Sequence, residues 1–178
     1  MRIIAGKFRG TNLLTFDAEN IRPTVDRVRE NIFNKIQFAV TGSKVLDLFG
    51  GTGAVSLEFL SRGAESVVTC DNNPKSLNLI KKNFEKVGIK PNLKSCDYLQ
   101  TLSDCKGQKF DFIFLDPPFA TDYGEKALEK IAEHGLLEED GVIIYEHLEG
   151  KEFVVPLALE IYDERKYGTV VVSFVRSK

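Results

Sequence analysis

The sequence has no tryptophan, one methionine and only two histidines in 178 residues. Its three cysteines, Cys70, Cys96 and Cys105, are an odd number without CxxC spacing, which argues against both a disulfide framework and a cysteine-based metal cluster. His134 and His147 stand at no ligand spacing from these cysteines, so we predict no metal site. No apolar run reaches the roughly 18 residues that a membrane-spanning helix needs. We therefore expect a cytoplasmic protein without membrane contact.

A strong excess of charge of one sign is also missing, since 24 basic and 26 acidic residues give a net charge of −2. Any contact with nucleic acid must therefore come from a local basic patch rather than from the whole surface. The chain is 43% hydrophobic, as is usual for globular proteins, and its length suits one domain with a sizeable core.

What the sequence does contain is a regular alternation of strand and helix patterns from Ser43 onward. The predicted strands are 44–49, 66–70, 92–96, 110–115 and 142–146, and the predicted helices are 54–64, 74–88 and 124–137. This order predicts an α/β fold with a doubly wound, Rossmann-like parallel sheet and helices on both faces. Two further strand patterns, 159–168 and 169–176, are joined by a tight turn, so we expect a C-terminal hairpin that brings one antiparallel strand into a seven-stranded sheet.

Residues 1–42 are predicted to be an N-terminal extension of the domain formed by 43–178. In residues 2–16, apolar and polar residues alternate and glycines stand among them, which favours an irregular β-hairpin. Residues 23–38 are predicted to form an amphipathic helix with Thr24 as a plausible N-cap. Arg2, Lys7 and Arg9 lie in the hairpin, and residues 1–16 contain no acid. Three cations on exposed backbone would suit RNA phosphates, although an ordinary solvated hairpin fits the same charges.

Four consecutive predicted strands are each followed or ended by an aspartate: Asp47, Asp71, Asp97 and Asp116. In such sheets ligands bind beyond the carboxyl ends of the strands, so the four carboxylates are expected on one rim. A single aspartate there is commonly a helix cap, and Asp97 alone would be interpreted as one.

The glycine loop after the first strand distinguishes between possible cofactors. Gly51 and Gly53 match half of a dinucleotide fingerprint, but residue 56 is serine, and the GK[ST] of a phosphate loop is absent. An acidic rim without a nearby lysine suits a cofactor with a cation and a ribose but no phosphate, and S-adenosylmethionine is such a molecule. Asp71, about 20 residues past the loop, would accept hydrogen bonds from the ribose hydroxyls, and Asp97 from the adenine amino group.

The stretch Asp116-Pro117-Pro118-Phe119 predicts the target end of the site. An exocyclic amino group is a poor nucleophile, and two acceptors aimed at its hydrogens would free its lone pair. The Asp116 side chain would be one acceptor, and the Pro117 carbonyl would be the other. Pro118 has no N–H group and favours an extended backbone at Pro117, so the Pro117 carbonyl is not easily claimed by the neighbouring backbone. Phe119 would stack on a base removed from its helix. Catalysis would depend on positioning and electrostatics.

Taken together, DLFGGTG, CDNNP, CDYL and DPPF resemble class I S-adenosylmethionine-dependent methyltransferases that act on amino groups. The segments at 2–10, 22–34 and 165–176 are similar to the RsmD family, over essentially the whole chain, and RPTVDRVRE is the most specific of them. The sequence departs mildly from the usual family motifs at two places. In the glycine loop, Gly50 and Thr52 replace the commoner alanine and serine, and in DPPF, Phe119 replaces a common tyrosine.

The resemblance implies roles for individual residues. The cofactor-binding residues would be Thr24, Arg27, Asp47, Phe49, Gly50, Gly51, Gly53, Asp71, Asn72, Asp97 and Tyr98, with Thr24 and Arg27 closing over the methionine end. The catalytic residues would be Asp116, Pro117, Pro118 and Phe119, and the RNA-binding residues Arg2, Lys7, Arg9 and Arg22. Without the resemblance, the helix with Arg27 would be interpreted as a solvated surface helix.

The RsmD resemblance further implies transfer of a methyl group to N2 of a guanine in 16S ribosomal RNA, the guanine at position 966, on assembled 30S particles. The expected partners are the 16S RNA and ribosomal proteins near the target. Two alternatives stay open: an adenine-N6 DNA methyltransferase, which shares DPPF, and a non-catalytic RNA-binding assembly factor.

Overall fold

A computed structural model of the chain describes residues 1–16 and 23–178, with the side chains of 23–25 outside the description. The strands are β1 (Lys44–Asp47), β2 (Ser66–Cys70), β3 (Asn92–Lys94), β4 (Phe110–Leu115), β5 (Leu137–Leu148), β6 (Leu159–Tyr167) and β7 (Val170–Ser177). The helices are α1 (Pro23–Ile36), α2 (Ala54–Ser61), α3 (Pro74–Glu85), α4 (Tyr98–Asp104) and α5 (Tyr123–His134).

The strands form one seven-stranded sheet in the order β3-β2-β1-β4-β5-β7-β6. Strands β1 to β5 are parallel, and β7 is antiparallel to both β5 and β6. The expected α/β sheet with one antiparallel strand is therefore confirmed. The chain reverses its direction of winding between β1 and β4, and this is where ligands bind in doubly wound sheets.

Both faces of the sheet are covered by helices. One face packs α1 and Phe59 of α2 against Phe112, Phe114 and Ile144 of the central strands. The opposite face packs α4 and α5 against the alternate residues of the same strands. Since successive residues of a strand point to opposite faces, the near-continuous apolar run of β4 is buried on both sides.

The N-terminal residues 1–16 lie on α2 and α3 as an irregular hairpin with a single bridge between Arg2 and Asn12. Ile3 and Leu13 enter a small core with the apolar residues of these two helices. Buried Glu58 of α2 accepts hydrogen bonds from the amides of Ile4 and Ala5 at 2.8 and 3.1 Å. The hairpin is thus fixed to the sheet domain by packing and by polar groups together.

Several boundaries differ from those predicted. Helix α2 ends at Ser61, where the chain turns through Gly63 at φ +96°, and β5 extends well beyond 142–146 at both ends. Helix α4 was not predicted. The three cysteines are free, and in the described part of the chain no helix is long and apolar enough to cross a membrane.

Candidate active site

A cleft of about 960 Å³ opens at the carboxyl ends of the parallel strands. Its volume lies at the upper end of the range for small-molecule sites, which leaves room for a nucleoside-sized cofactor and a second flat group. Eleven predicted site residues line it together: Phe49, Gly50, Gly51, Asp71, Asn72, Asp97, Tyr98, Asp116, Pro117, Pro118 and Phe119. The sequence pattern therefore identified residues from four separate loops that the fold brings to one place.

The glycine loop between β1 and α2 has little space for side chains. Gly51 and Gly53 adopt φ +57° and +79°, which L side chains rarely adopt. A Cβ on Gly50 would stand 2.6 Å from the Cγ2 atom of Thr69, and the Gly50 amide donates to the Cys70 carbonyl at 2.8 Å. The loop backbone is consequently packed tightly on the sheet on one side and open to the cleft on the other.

The Asp71 carboxylate connects the first two loops of the rim. One oxygen accepts from the Gly51 amide at 2.9 Å, and the other from the Asn73 amide at 2.8 Å. Asn73 in turn caps α3 by accepting from the Lys75 amide. Each carboxylate oxygen has a further lone pair, so Asp71 can hold the loops and still accept from a ligand in the cleft.

Asp47 lies beneath the cleft and does not line it. Its side chain is 1% exposed and accepts a hydrogen bond from the Ser56 hydroxyl at 2.6 Å. Burial raises the pKa of Asp47 from 3.8 to about 6, and the Asp71 carboxylate adds to the shift. Asp47 therefore supports the floor of the site and contributes negative potential to it.

Aromatic rings form one wall of the cleft. Tyr98 packs between Phe49 and Tyr123, with ring centroids 5.3 and 5.0 Å away. Desolvation raises the pKa of Tyr98 to about 12, so its hydroxyl is neutral. Asp97 caps α4 by accepting from the Leu99 amide at 2.9 Å, as expected for an aspartate at this position. Asp97 also lines the cleft.

The DPPF stretch after β4 has the acceptors that the sequence predicted. The Pro118 carbonyl is occupied, because the amide and hydroxyl of Thr121 donate to it at 3.0 and 2.7 Å. Within residues 1–16 and 23–178, no donor is bonded to the Pro117 carbonyl or to the Asp116 carboxylate. Both groups lie on the cleft, where an amino group could use them.

Asp116 is an exposed residue at the rim, where it lines the cleft. Desolvation by the neighbouring protein raises the pKa of Asp116 to about 7, and the negative charge of Asp47 adds to the shift. Because water still reaches the side chain in the free protein, we expect the full shift only when a base covers the cleft.

The sequence reasoning missed Glu146, a half-buried residue of β5 that lines the cleft. Burial raises its pKa well above the ordinary 4.5, and the neighbouring Asp116 carboxylate raises it further. Glu146 lies inside a strand that continues to Leu148, so no turn residue follows it to mark a strand end. The rule that identified the four aspartates therefore did not apply to it.

Helix α1 presents Val28 and Arg29 to the cleft, whereas Arg27 is exposed and does not line it. Arg29 is 5% exposed, and its Nη2 atom donates to Asp26 at 3.1 Å. Its Nε and Nη1 atoms are buried without a hydrogen-bond partner in the described part of the chain. Arg22 lies outside the described residues, as does the side chain of Thr24.

The other three predicted RNA-binding residues are in the hairpin, away from the cleft lining. Arg2, Lys7 and Arg9 are all exposed, and none of them makes an ion pair within the described residues. Ser61 of α2 holds this ribbon, because its hydroxyl accepts from the Phe8 amide at 2.9 Å. Three free cations therefore project from a fixed backbone.

The turn between β6 and β7 completes the cleft with residues 167–170. Because β7 is antiparallel, β6 runs parallel to β5 and ends at the same rim. Among the described residues, no group of histidine, cysteine and acidic side chains could hold a metal ion.

Comparison with known proteins agrees with this arrangement. A family model described as conserved hypothetical protein 95 matches residues 1–176. The chain is 32% identical over 176 residues to ribosomal RNA small subunit methyltransferase D of Haemophilus influenzae, over 96% of this chain and 90% of that protein. The protein of the same name from Escherichia coli strain K12 is 31% identical over 172 residues, with coverages of 96% and 86%.

A solved structure, that of yhhF from Escherichia coli, superposes with a TM-score of 0.88 at 27% identity, over 100% of this chain and 98% of that one. The match therefore includes the N-terminal hairpin and the C-terminal strands as well as the central sheet. The resemblance seen in the sequence motifs is confirmed, and the chain belongs to the RsmD family of methyltransferases.

Proposed function

We propose that the protein transfers a methyl group from S-adenosylmethionine to N2 of a guanine in small-subunit ribosomal RNA. The observation that carries this proposal is the pair of unoccupied acceptors, the Asp116 carboxylate and the Pro117 carbonyl, on the same cleft as the glycine loop. Membership of a family whose relatives are named small-subunit ribosomal RNA methyltransferases supports the choice of RNA.

The cofactor would occupy the half of the cleft above β1, β2 and β3. Asp71 would accept from the ribose hydroxyls, and Asp97 would accept from the adenine amino group beside the Tyr98 ring. Arg29 provides a positive charge for the carboxylate end of the cofactor, since two of its nitrogens have no partner in the described residues. The earlier assignment of Thr24 and Arg27 to this end stays a proposal.

The target base would occupy the half above β4 and β5. S-adenosylmethionine supplies an electrophilic methyl group on a sulfonium. Asp116 and the Pro117 carbonyl would accept the two N2 hydrogens and direct the nitrogen lone pair at that methyl group. On transfer, the N–C bond would form as the C–S bond breaks, and the electrons of the C–S bond would stay on sulfur. The N2 proton then leaves to the Asp116 carboxylate, whose raised pKa suits it as an acceptor.

The RNA would approach over the N-terminal hairpin. Arg2, Lys7 and Arg9 would contact phosphates and position the RNA without reading its sequence. Three cations give a small electrostatic footprint, so we infer that the substrate is the assembled 30S particle, where ribosomal proteins near the target add contacts. The finer assignment, the guanine at position 966, rests on the family resemblance.

A transfer assay tests the proposal. Labelled S-adenosylmethionine is offered with isolated small subunits, naked 16S RNA and duplex DNA, and the modified base is identified by nuclease digestion and mass spectrometry. We expect N2-methylguanine in one 16S nucleotide, with small subunits as the best substrate. Label on DNA adenine would instead support the adenine-N6 enzyme.

Absence of label on every substrate, together with measurable RNA binding, would support the non-catalytic factor and reject the proposal. Glu139→Gln provides a matched control, because Glu139 is an exposed carboxylate near the opposite end of β5. This variant is expected to transfer label at the wild-type rate.

A further inference from the structure

Glu146 and Asp116 are neighbours across the sheet. Strands β4 and β5 pair in parallel, with Phe114 opposite Ile144 and Leu115 opposite Tyr145. The next pair along the two strands is Asp116 and Glu146. Parallel neighbours lie roughly 5 Å apart, so the two backbones hold these side chains next to each other at the rim.

The two side chains also point to the same face of the sheet. Phe114 and Ile144 both belong to the apolar cluster that packs against α1. Residues two apart in a strand share a face, so Asp116 and Glu146 continue this row toward the rim. Both line the cleft, whose lining also includes the turn between β6 and β7.

No structural role accounts for this pair of carboxylates. Neither side chain makes a hydrogen bond or ion pair with any described residue, although Glu146 is half-buried and both line the cleft. Two adjacent carboxylates repel each other, and the partial burial of Glu146 increases the cost of ionising both. A ligand that presents two neighbouring donors would relieve this repulsion, which is the feature expected of a recognition site.

We propose that Glu146 accepts the N1–H of the target guanine while Asp116 accepts from N2, so that the carboxylate pair selects guanine over bases with an unprotonated N1. This inference rests on the proposed function, because it names the specificity element of the same site. Glu146 acts here as a specificity residue, and the methyl transfer itself occurs at N2.

The chemistry of the bases explains the choice. Guanine presents N1–H and the N2 amino group as adjacent donors on its Watson–Crick edge, and two adjacent acceptors match them. Adenine and 2-aminopurine present a lone pair at N1, which a carboxylate at Glu146 would repel. A site built to bond a donor rejects an analogue that lacks it strongly, because its buried polar group is then left unpaired.

The pKa directions agree with this geometry. Burial raises the pKa of Glu146, and the Asp116 charge adds to the shift. Two N–H donors from guanine would stabilise the ionised forms, whereas a base with N1 as an acceptor would not. Binding of the correct base and ionisation of the pair are therefore coupled.

The test changes the target base on one side and the Glu146 side chain on the other. Small subunits are reconstituted with guanine or 2-aminopurine at the mapped target nucleotide, since both bases carry the N2 amino group. The ratio of kcat/KM for the two substrates is measured for the wild type, Glu146→Gln and the control Glu139→Gln. Binding of S-adenosylhomocysteine is measured by calorimetry for all three.

Glutamine is nearly isosteric and carries both an acceptor and a donor. Its Nε2 can donate to N1 of 2-aminopurine, and its neutral Oε1 is a weaker acceptor for guanine than a carboxylate. We expect the preference of the wild type for guanine to fall by about tenfold or more in Glu146→Gln, with cofactor binding and the preference of Glu139→Gln unchanged.

Three results would overturn the inference: no guanine preference in the wild type, an unchanged preference in Glu146→Gln, or an equal loss on both bases. The last result would indicate a structural role for Glu146. Failure of the proposed function is separately visible, because the wild type would then place no methyl group on guanine N2 of the unsubstituted particle.

Discussion

Replacing Asp47 by asparagine is expected to stabilise the folded protein at neutral and alkaline pH. The Asp47 carboxylate is 1% exposed, and it forms no ion pair with any described residue. Burial raises its pKa from 3.8 to about 6. The folded state therefore binds the proton of this group more tightly than the unfolded state does, and ionisation of Asp47 favours unfolding.

The sign and size of the effect follow from linkage. A carboxyl group with a raised pKa contributes stability that is fully present below the unfolded pKa of 3.8 and is lost as the pH rises through about 6. The difference between these two pKa values corresponds to about 3 kcal/mol at pH 8 and to roughly half of that at pH 5. Asparagine has no charge to ionise and avoids this loss.

The gain of about 3 kcal/mol is an upper value. The Ser56 hydroxyl donates to Oδ2 of the carboxylate and lowers its pKa, whereas Oδ1 is buried without a hydrogen-bond partner in the described part of the chain. The oxygen of asparagine can still accept from Ser56, but its buried NH2 group would be unpaired, which reduces the gain. Ser56 also bonds to Thr69, which gives it a second partner in the variant.

Urea unfolding at pH 8 and pH 5 measures the difference between Asp47→Asn and the wild type. Asp140→Asn, an exposed change, provides the control and should leave the free energy of unfolding unchanged at both pH values. An equal destabilisation by Asp47→Asn at the two pH values would refute the reasoning, since it would show that the hydrogen bonds outweigh the buried charge.

Three further outcomes are expected. Asp116→Ala should lower kcat by about a hundredfold or more, while calorimetry shows cofactor affinity within about threefold of wild type; equal losses would contradict the assignment. The combined change of Arg2, Lys7 and Arg9 to alanine should reduce the slope of log affinity for small subunits against log salt by about two to three, whereas an effect on cofactor binding alone would reject an RNA role. Gly6→Ala should lower the free energy of unfolding by about 2 kcal/mol or more, because its Cβ would stand 1.8 Å from a backbone oxygen of α2. Gly10→Ala has a similar φ but open space, so it should cost clearly less in the same urea titration.

The order of strands and helices was predictable because each element has a local signature. The run 66–70 is flanked by a turn and by polar residues, and its predicted bounds agree with β2. Helix α4 was missed because it is only seven residues long and its first turn follows directly from the Asp97 cap. A short polar segment of this kind carries too little periodicity to be recognised as a helix.

The residues of the candidate site were predictable where they directly follow the end of a strand that the sequence marks clearly. Asp71 and Asp116 are followed by asparagines or prolines, which mark the ends of their strands. Glu146 is different, because its position on the rim depends on the pairing of β5 with β4, and that register is a non-local property. The choice between Arg27 and Arg29 likewise depends on which side of α1 packs against the sheet.

The antiparallel strand β7 has a consequence for how this enzyme architecture can change. The glycine loop, Asp71 and Asp97 belong to the first hundred residues of the chain, whereas the turn at 167–170 comes near its end. Insertions or substitutions in that turn would reshape the side of the cleft next to Glu146 and leave the cofactor loops untouched. Substrate preference could therefore diverge among relatives through a few residues of one hairpin, while the cofactor and the chemistry stay the same.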